Sequence, residues 1–308
     1  MATSTKKVIY AALVGNTLIA ITKFAAAAIT GSSAMLSEGI HSLVDTGNQV
    51  LLLHGMKRAQ RPADREFPFG HGKELYFWSF IVAILIFAVG AGFSIYEGIL
   101  HLRHPEPIES PYVNYIVLGL AMLIEGGAWF YAWKAFKVHK GRRGYIRAVH
   151  EGKDPTLFVV LFEDTAAMAG LTVAFLGVLL NQLTGIPYFD GGASIVIGLI
   201  LAGTAVWLAA ETKSLLIGES ANPEVVECIR RIAASAPQIQ HVNEVLTMHM
   251  GPDFILVNLS VEFADSATAD DIEKVIAEVD RQLKQTLPRV KRVFVEAESR
   301  ATQKNEHL

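Results

Sequence analysis

Ser37-Glu38-Gly39-Ile40-His41-Ser42-Leu43-Val44-Asp45-Thr46-Gly47-Asn48 sets polar side chains into a segment that otherwise reads as lipid-buried helix. The steps from Glu38 to His41, Asp45 and Asn48 are three, four and three residues, the rhythm of one helical face. An ionisable group at the bilayer centre costs about 2.5–3.5 kcal/mol even on the lenient insertion scale, so such a stripe needs a reason. Carboxylate oxygens with an imidazole nitrogen form a donor set suited to a divalent transition metal such as Zn²⁺.

Working outward, the chain has 308 residues, 51% of them apolar, and a mean hydropathy of +0.34. That is high for a water-soluble protein and low for one embedded throughout. The excess lies in the first two thirds. From residue 217 onward there are 10 Lys/Arg against 15 Asp/Glu, a net of −5, while the remainder is near +2. A membrane domain over 1–216 and an acidic, water-soluble domain over 217–308 are expected. Cys228 is the single cysteine, so no internal disulfide can form, and the soluble part is expected to face a reducing compartment.

Six segments have the length and apolarity to cross about 30 Å of hydrocarbon: 8–30, 33–56, 75–101, 113–136, 156–181 and 189–213. The first follows Lys6 and Lys7 without a convincing cleavage site and is read as a retained helix. Lys57, Arg58, Arg61, Arg65 and Lys73 join spans two and three; Lys137, Lys140, Arg142, Arg143, Arg147 and Lys153 join spans four and five. Across the other side, Arg103 after span three stands alone. The positive-inside rule then makes both termini cytoplasmic. Gly90, Gly92 and Gly98 of span three, with Gly191, Gly192, Gly198 and Gly203 of span six, are read as helix-packing glycines, with a sliding surface as the alternative.

Beyond Asn222 the pattern shifts to short amphipathic elements. A helix is expected from Pro223 to about Ser235, strands over 242–250 and 253–263, a helix from Ala269 to about Leu287, and a strand over 291–298. Ile255, Val257, Leu259, Val261 and Phe263 alternate with polar positions, as in a half-buried strand. The order α-β-β-α-β predicts a two-layer α+β domain with its helices on one face. His241 and His249 are read as surface strand residues, and Ala301 to Leu308 as a frayed end.

The central polar stripe has a counterpart in span five, the adjacent Glu163 and Asp164. Metal ligands are expected at His41, Asp45, Glu163 and Asp164. Glu163 is the weakest of the four, because neighbouring helix positions point roughly 100° apart. Glu38 and Asn48 are assigned to the surrounding shell or the entry path. Buried salt bridging is the competing explanation: Lys23 of span one could pair with Glu38 or with Glu125 of span four, which would account for one carboxylate.

Together with Arg61-Pro62-Ala63-Asp64-Arg65-Glu66-Phe67-Pro68-Phe69-Gly70-His71-Gly72-Lys73-Glu74 after span two and Tyr96-Glu97-Gly98 in span three, these residues give a resemblance over roughly 8–298. The chain resembles a cation diffusion facilitator, a family of proton-coupled divalent metal exporters. The resemblance implies six transmembrane helices, a cytoplasmic ferredoxin-like domain and a homodimer. Most zinc-exporting members carry a four-residue ligand spacing in span five. Here Val160 and Val159 stand four before Asp164 and Glu163, so the Glu-Asp pair must supply that side, as in the branch that includes the mitochondrial zinc transporters. Asp64 and His71 match two positions of a loop metal site found in some members, with Phe67 in the third. Asn243, Asn258, Glu296 and Glu298 stand where several relatives place zinc-binding histidines, so a tight zinc pair in the tail is not expected.

The expected function is therefore proton-coupled efflux of Zn²⁺ by alternating access, with no cofactor, no nucleic-acid partner and no catalysis. An oxygen-rich site leaves Mn²⁺, Fe²⁺ or Co²⁺ open as cargo, and a non-transporting, metal-responsive regulator or scaffold is the further alternative. His-Glu-x-x-His, a nucleophile elbow and a phosphate-binding glycine loop are all missing from the sequence. Strong intramembrane ligands would hold an ion too long for a channel. The short N-terminus favours a bacterial inner membrane over an organelle.

Overall fold

The computed structural model describes residues 2–105, 110–140 and 144–299. The expected frayed end, 301–308, lies outside these residues, as do Arg142 and Arg143 of the second basic loop. The chain divides into two compact units, one of residues 1–57 and 75–213, the other of residues 58–74 and 214–308.

The first unit is built from long helices: α1 (Ala2–Thr30), α2 (Ser33–Ala59), α3 (Glu74–Leu85) continued through a π-helical turn (Ile86–Ala91) into α4 (Gly92–Arg103), α5 (Pro111–Lys140), α7 (Pro155–Thr184) and α8 (Tyr188–Ile217). A short α6 (Tyr145–His150) precedes α7. These bounds match the six expected spans, extended by a few residues at several ends; the π turn and α6 are additional. Helix α7 carries both sequence signals of its ends. Asp154 caps the N-terminus by accepting from the Thr156 amide at 3.0 Å, Pro155 opens the first turn, and Gly185 closes the helix with a left-handed φ of 68°.

Glu74–Arg103, Pro111–Val138, Phe158–Thr184 and Tyr188–Ile217 are long and apolar enough to cross a membrane, and Asn16–Thr30 is a shorter apolar stretch. Helix α2 falls short because the Glu38–Asn48 stripe dilutes its apolarity. Large apolar side chains also point outward. Leu123 is 75% exposed, and Leu18 and Leu199 are 59% exposed, an arrangement that water would penalise and lipid favours. Inward, Val82, Ile86, Leu118, Leu171, Ile197 and Leu201 pack into one core. The protein is a multi-pass helical membrane protein.

Two of the expected glycine contacts let α4 meet α8. A Cβ on Gly98 would lie 2.7 Å from the Gly191 carbonyl oxygen and 2.7 Å from Ile195. One on Gly198 would lie 2.6 Å from Ile95. Gly192 and Gly203 have nothing within 4 Å of such an atom. Helix α8 also anchors α2. Asp190, fully buried, accepts from the Ser32 hydroxyl at 2.6 Å, from the Ser33 amide at 2.6 Å and from the Ala34 amide at 3.4 Å. A carboxylate there satisfies the free N–H groups of the α2 start and meets its positive dipole end.

The second unit is an α+β ferredoxin-like domain. After α9 (Pro223–Ala234), strands β1 (Ile239–Gly251) and β2 (Phe254–Phe263) pair antiparallel; α10 (Ala269–Thr286) then leads to β3 (Val290–Ala297), parallel to β2. The sheet order is β1-β2-β3. Ile255, Val257, Leu259 and Val261 are buried as the alternation requires, and Ile229, Ala233, Val275, Val279 and Leu283 of the two helices join the same core. His249 corrects the sequence reading: it is 2% exposed, not a surface residue. The register pairs it with Ile255, just as Val245 pairs with Leu259, so both occupy the buried face. Loop 58–74 packs within this unit. Gly72 fits only as glycine, since a Cβ would collide with the Met250 carbonyl oxygen.

Candidate metal site

The polar stripe of α2 lies inside the first unit. Glu38 and Asn48 are fully buried and His41 is 1% exposed, while the Asp45 side chain is 13% exposed. His41 Nε2 lies 3.5 Å from Asp45 Oδ2, one turn along the same helix. From α7, Glu163 is 5% exposed and accepts from the Asn48 side-chain amide at 2.9 Å. Asp164 is half-buried. Next to Asp164, Thr165 accepts from the Trp129 indole of α5 at 3.0 Å.

The structure thus brings His41 within 3.5 Å of Asp45 and bonds Asn48 to Glu163 at 2.9 Å. It does not draw the four expected ligands into one cluster: among the described residues, no three His, Cys, Asp or Glu side chains stand in metal-holding geometry. Glu163 and Asp164 are adjacent on α7 and point in different directions, as their sequence separation requires. Several donor atoms there are buried without a hydrogen-bond partner among the described residues: both ring nitrogens of His41, Asp45 Oδ1 and Asn48 Oδ1. Such atoms are costly to bury unless something ligates them. A nitrogen and carboxylate set of this kind suits a divalent transition metal.

Lys23 resolves the salt-bridge question in both directions at once. Its ammonium, fully buried, donates to Glu38 Oε2 at 3.0 Å, Ser42 Oγ at 2.8 Å and Glu125 Oε1 at 3.0 Å. Glu38 is therefore tied to α1 and packs so closely against α7 that a Cβ on Gly170 would overlap its Oε1. By sequence Glu125 is only one of two candidate partners for Lys23. A lone carboxylate inside an apolar span was the signal that could have placed it beside the site.

In the loop after α2, Asp64 Oδ2 lies 3.0 Å from His71 Nε2. Asp64 Oδ1 accepts from the amides of Glu66 at 2.9 Å and Phe67 at 2.7 Å. The Phe67 ring lies against the His71 ring, centroids 4.5 Å apart. The His71 hydrogen bond, followed by that from the Phe67 amide, holds the Asp64 carboxyl below the usual carboxylate range. These contacts describe a hydrogen-bonded turn. In the tail, Asn243 Nδ2 donates to Ser260 Oγ at 3.2 Å and to the Glu298 backbone oxygen at 2.9 Å, and Ser260 Oγ donates to Glu298 Oε2 at 2.6 Å.

Residues 9–217 match the cation efflux transmembrane domain. The proton-coupled zinc antiporter SLC30A9, mitochondrial, of Xenopus laevis is 33% identical over 286 residues, 90% of this chain and 51% of its own. Metal tolerance protein C4 of Arabidopsis thaliana is 29% identical over 260 residues, 84% of this chain and 57% of its own. Manganese efflux system protein MneP of Bacillus subtilis is 21% identical over 296 residues, 94% of each chain. The chain spans about half the length of the first two of these relatives. With the fold, the polar stripe of α2 and its meeting with α7 already described, these matches establish that the chain belongs to the cation diffusion facilitator family of cation efflux proteins, on its branch resembling the mitochondrial zinc transporters.

Proposed function

We propose that this protein is a proton-coupled exporter of a divalent metal ion, Zn²⁺ foremost, and not an enzyme. The observation that carries the reading is the buried meeting of α2 and α7, where Asn48 bonds Glu163 at 2.9 Å beside His41 and Asp45. His41, Asp45, Glu163 and Asp164 are the proposed ligands, with Glu38 and Asn48 supporting them. Ligation needs a neutral imidazole and ionised carboxylates, so protons and metal compete for the same atoms. Protonation from an acidic outer side expels the ion. The protonated, less negative site then returns through the low-dielectric core, completing antiport by alternating access.

The basic loops support cytoplasmic termini, in a bacterial inner membrane, with residues 1–216 forming the transport domain and 217–308 a cytoplasmic domain that pairs with a second copy. A second reading, export of Mn²⁺, is favoured by the donor set. Three carboxylates, those of Asp45, Glu163 and Asp164, accompany the one imidazole of His41. Oxygen-rich sites suit Mn²⁺, and MneP is similar along nearly the whole chain. The test is uptake of Zn²⁺, Mn²⁺, Fe²⁺, Co²⁺ and Cd²⁺ into proteoliposomes under an imposed pH gradient. Zn²⁺ leading the panel supports the first reading, a strong Mn²⁺ preference the second, and no uptake of any metal refutes transport.

A further inference from the structure

Glu125 stands on α5, a helix that contributes none of the ligands proposed above. Its side chain is 11% exposed, and Lys23 holds its Oε1 at 3.0 Å. As a counter-ion alone it is superfluous, because the same ammonium already pairs with Glu38 at 3.0 Å. All three ammonium protons are used, on Glu38, Ser42 and Glu125. The second oxygen, Glu125 Oε2, is buried without a hydrogen-bond partner among the described residues. Burying a second carboxylate against one lysine, with an oxygen unsatisfied, is costly unless a further cation shares it. One turn further along α5, Trp129 donates to Thr165, the neighbour of Asp164, at 3.0 Å, and Ser42, bonded to the same ammonium at 2.8 Å, is the neighbour of His41.

We propose that Glu125 of α5 is a further oxygen donor to the transported ion, oriented by Lys23 of α1, and that it sets the balance between Mn²⁺ and Zn²⁺. The inference rests on the reading that α2 and α7 hold the cargo. Lys23 fixes one carboxylate oxygen and leaves the other for the ion, so α1 and α5 join the site through one rigid ion pair. A carboxylate oxygen contributes relatively more to Mn²⁺ than to Zn²⁺, which draws more from imidazole. Loss of this donor therefore penalises Mn²⁺ first.

The experiment is titration calorimetry of Mn²⁺ and Zn²⁺ on the full chain purified in detergent, comparing the parent with Glu125→Gln, Glu125→Asp and Asp45→Ala. Glutamine keeps the shape and an acceptor for Lys23, which also retains Glu38, so the fold is preserved. Glu125→Gln is expected to weaken Mn²⁺ about tenfold and Zn²⁺ by a clearly smaller factor. Glu125→Asp, which keeps the charge but withdraws the oxygens by one methylene, shifts the ratio in the same direction and serves as the test if the glutamine variant fails to fold. Equal weakening of both metals, or no change in either, overturns the inference. Asp45→Ala separates the two failures: it should abolish binding of both metals, and parental binding there would refute the α2–α7 site itself.

Discussion

Asn48 of α2 donates its side-chain amide to Glu163 of α7 at 2.9 Å, with both residues buried. The bond joins the two helices whose polar positions were expected to face each other, and it gives Glu163, the weakest of the expected ligands, a defined partner. Asn48→Ala leaves a buried carboxylate without its donor, at a cost of about 1–3 kcal/mol. Thermal unfolding of the purified variant should begin at lower temperature, and metal flux should fall with it. A variant as stable and as active as the parent would show that the contact matters to neither.

The α4–α8 contact predicts opposite outcomes for two glycines of the same region. Gly98→Val places a side chain where even a Cβ meets Gly191 and Ile195 at 2.7 Å, an overpacking worth about 1–3 kcal/mol or more. Gly192→Ala meets nothing within 4 Å and gains helix propensity. Size-exclusion profiles should show the first poorly folded and the second indistinguishable from the parent. The reverse order would contradict the packing described.

Loop 58–74 should loosen in acid. The Asp64 carboxyl is held below its ordinary range, first by His71 and then by the Phe67 amide. Such a group stabilises the loop in full above about pH 4, its ordinary value. The contribution disappears as pH falls through the lowered folded value. Hydrogen-exchange protection at the amides of Glu66 and Phe67, both donors to Asp64, should hold steady down to about pH 4 and drop below it. Asp64→Ala should remove both the protection and its pH step. Protection unchanged at lower pH would refute the turn as the loop's organiser.

What the sequence displayed well was periodicity. Each apolar run became a helix with ends near those expected, and Ile255, Val257, Leu259 and Val261 became the buried face of β2. Partnerships across the chain were not displayed. The cap that Asp190 places on the start of α2 joins residues 157 positions apart at Ser33, and no local pattern encodes such a meeting. Lys23 had two plausible partners by charge and took both, because a buried ammonium has three protons to satisfy. Residue type suggests a surface position for His249, whereas its even spacing from Val245 places it on the core side of β1. At the proposed metal site, the residue types and the α2 stripe were legible. The join of Asn48 to Glu163 and the place of Glu125 were not, since both depend on how α2, α5 and α7 turn toward one another.

The central claim is that α2 and α7 bind the ion that the protein moves against protons. Metal-driven proton flux in liposomes, recorded together for the parent, Asp45→Ala and Asp164→Ala, tests it directly. The parent should couple Zn²⁺ entry to proton exit, and each variant, though folded by size exclusion, should lose both metal uptake and the linked pH change. Coupled flux persisting unchanged in both variants would contradict the account.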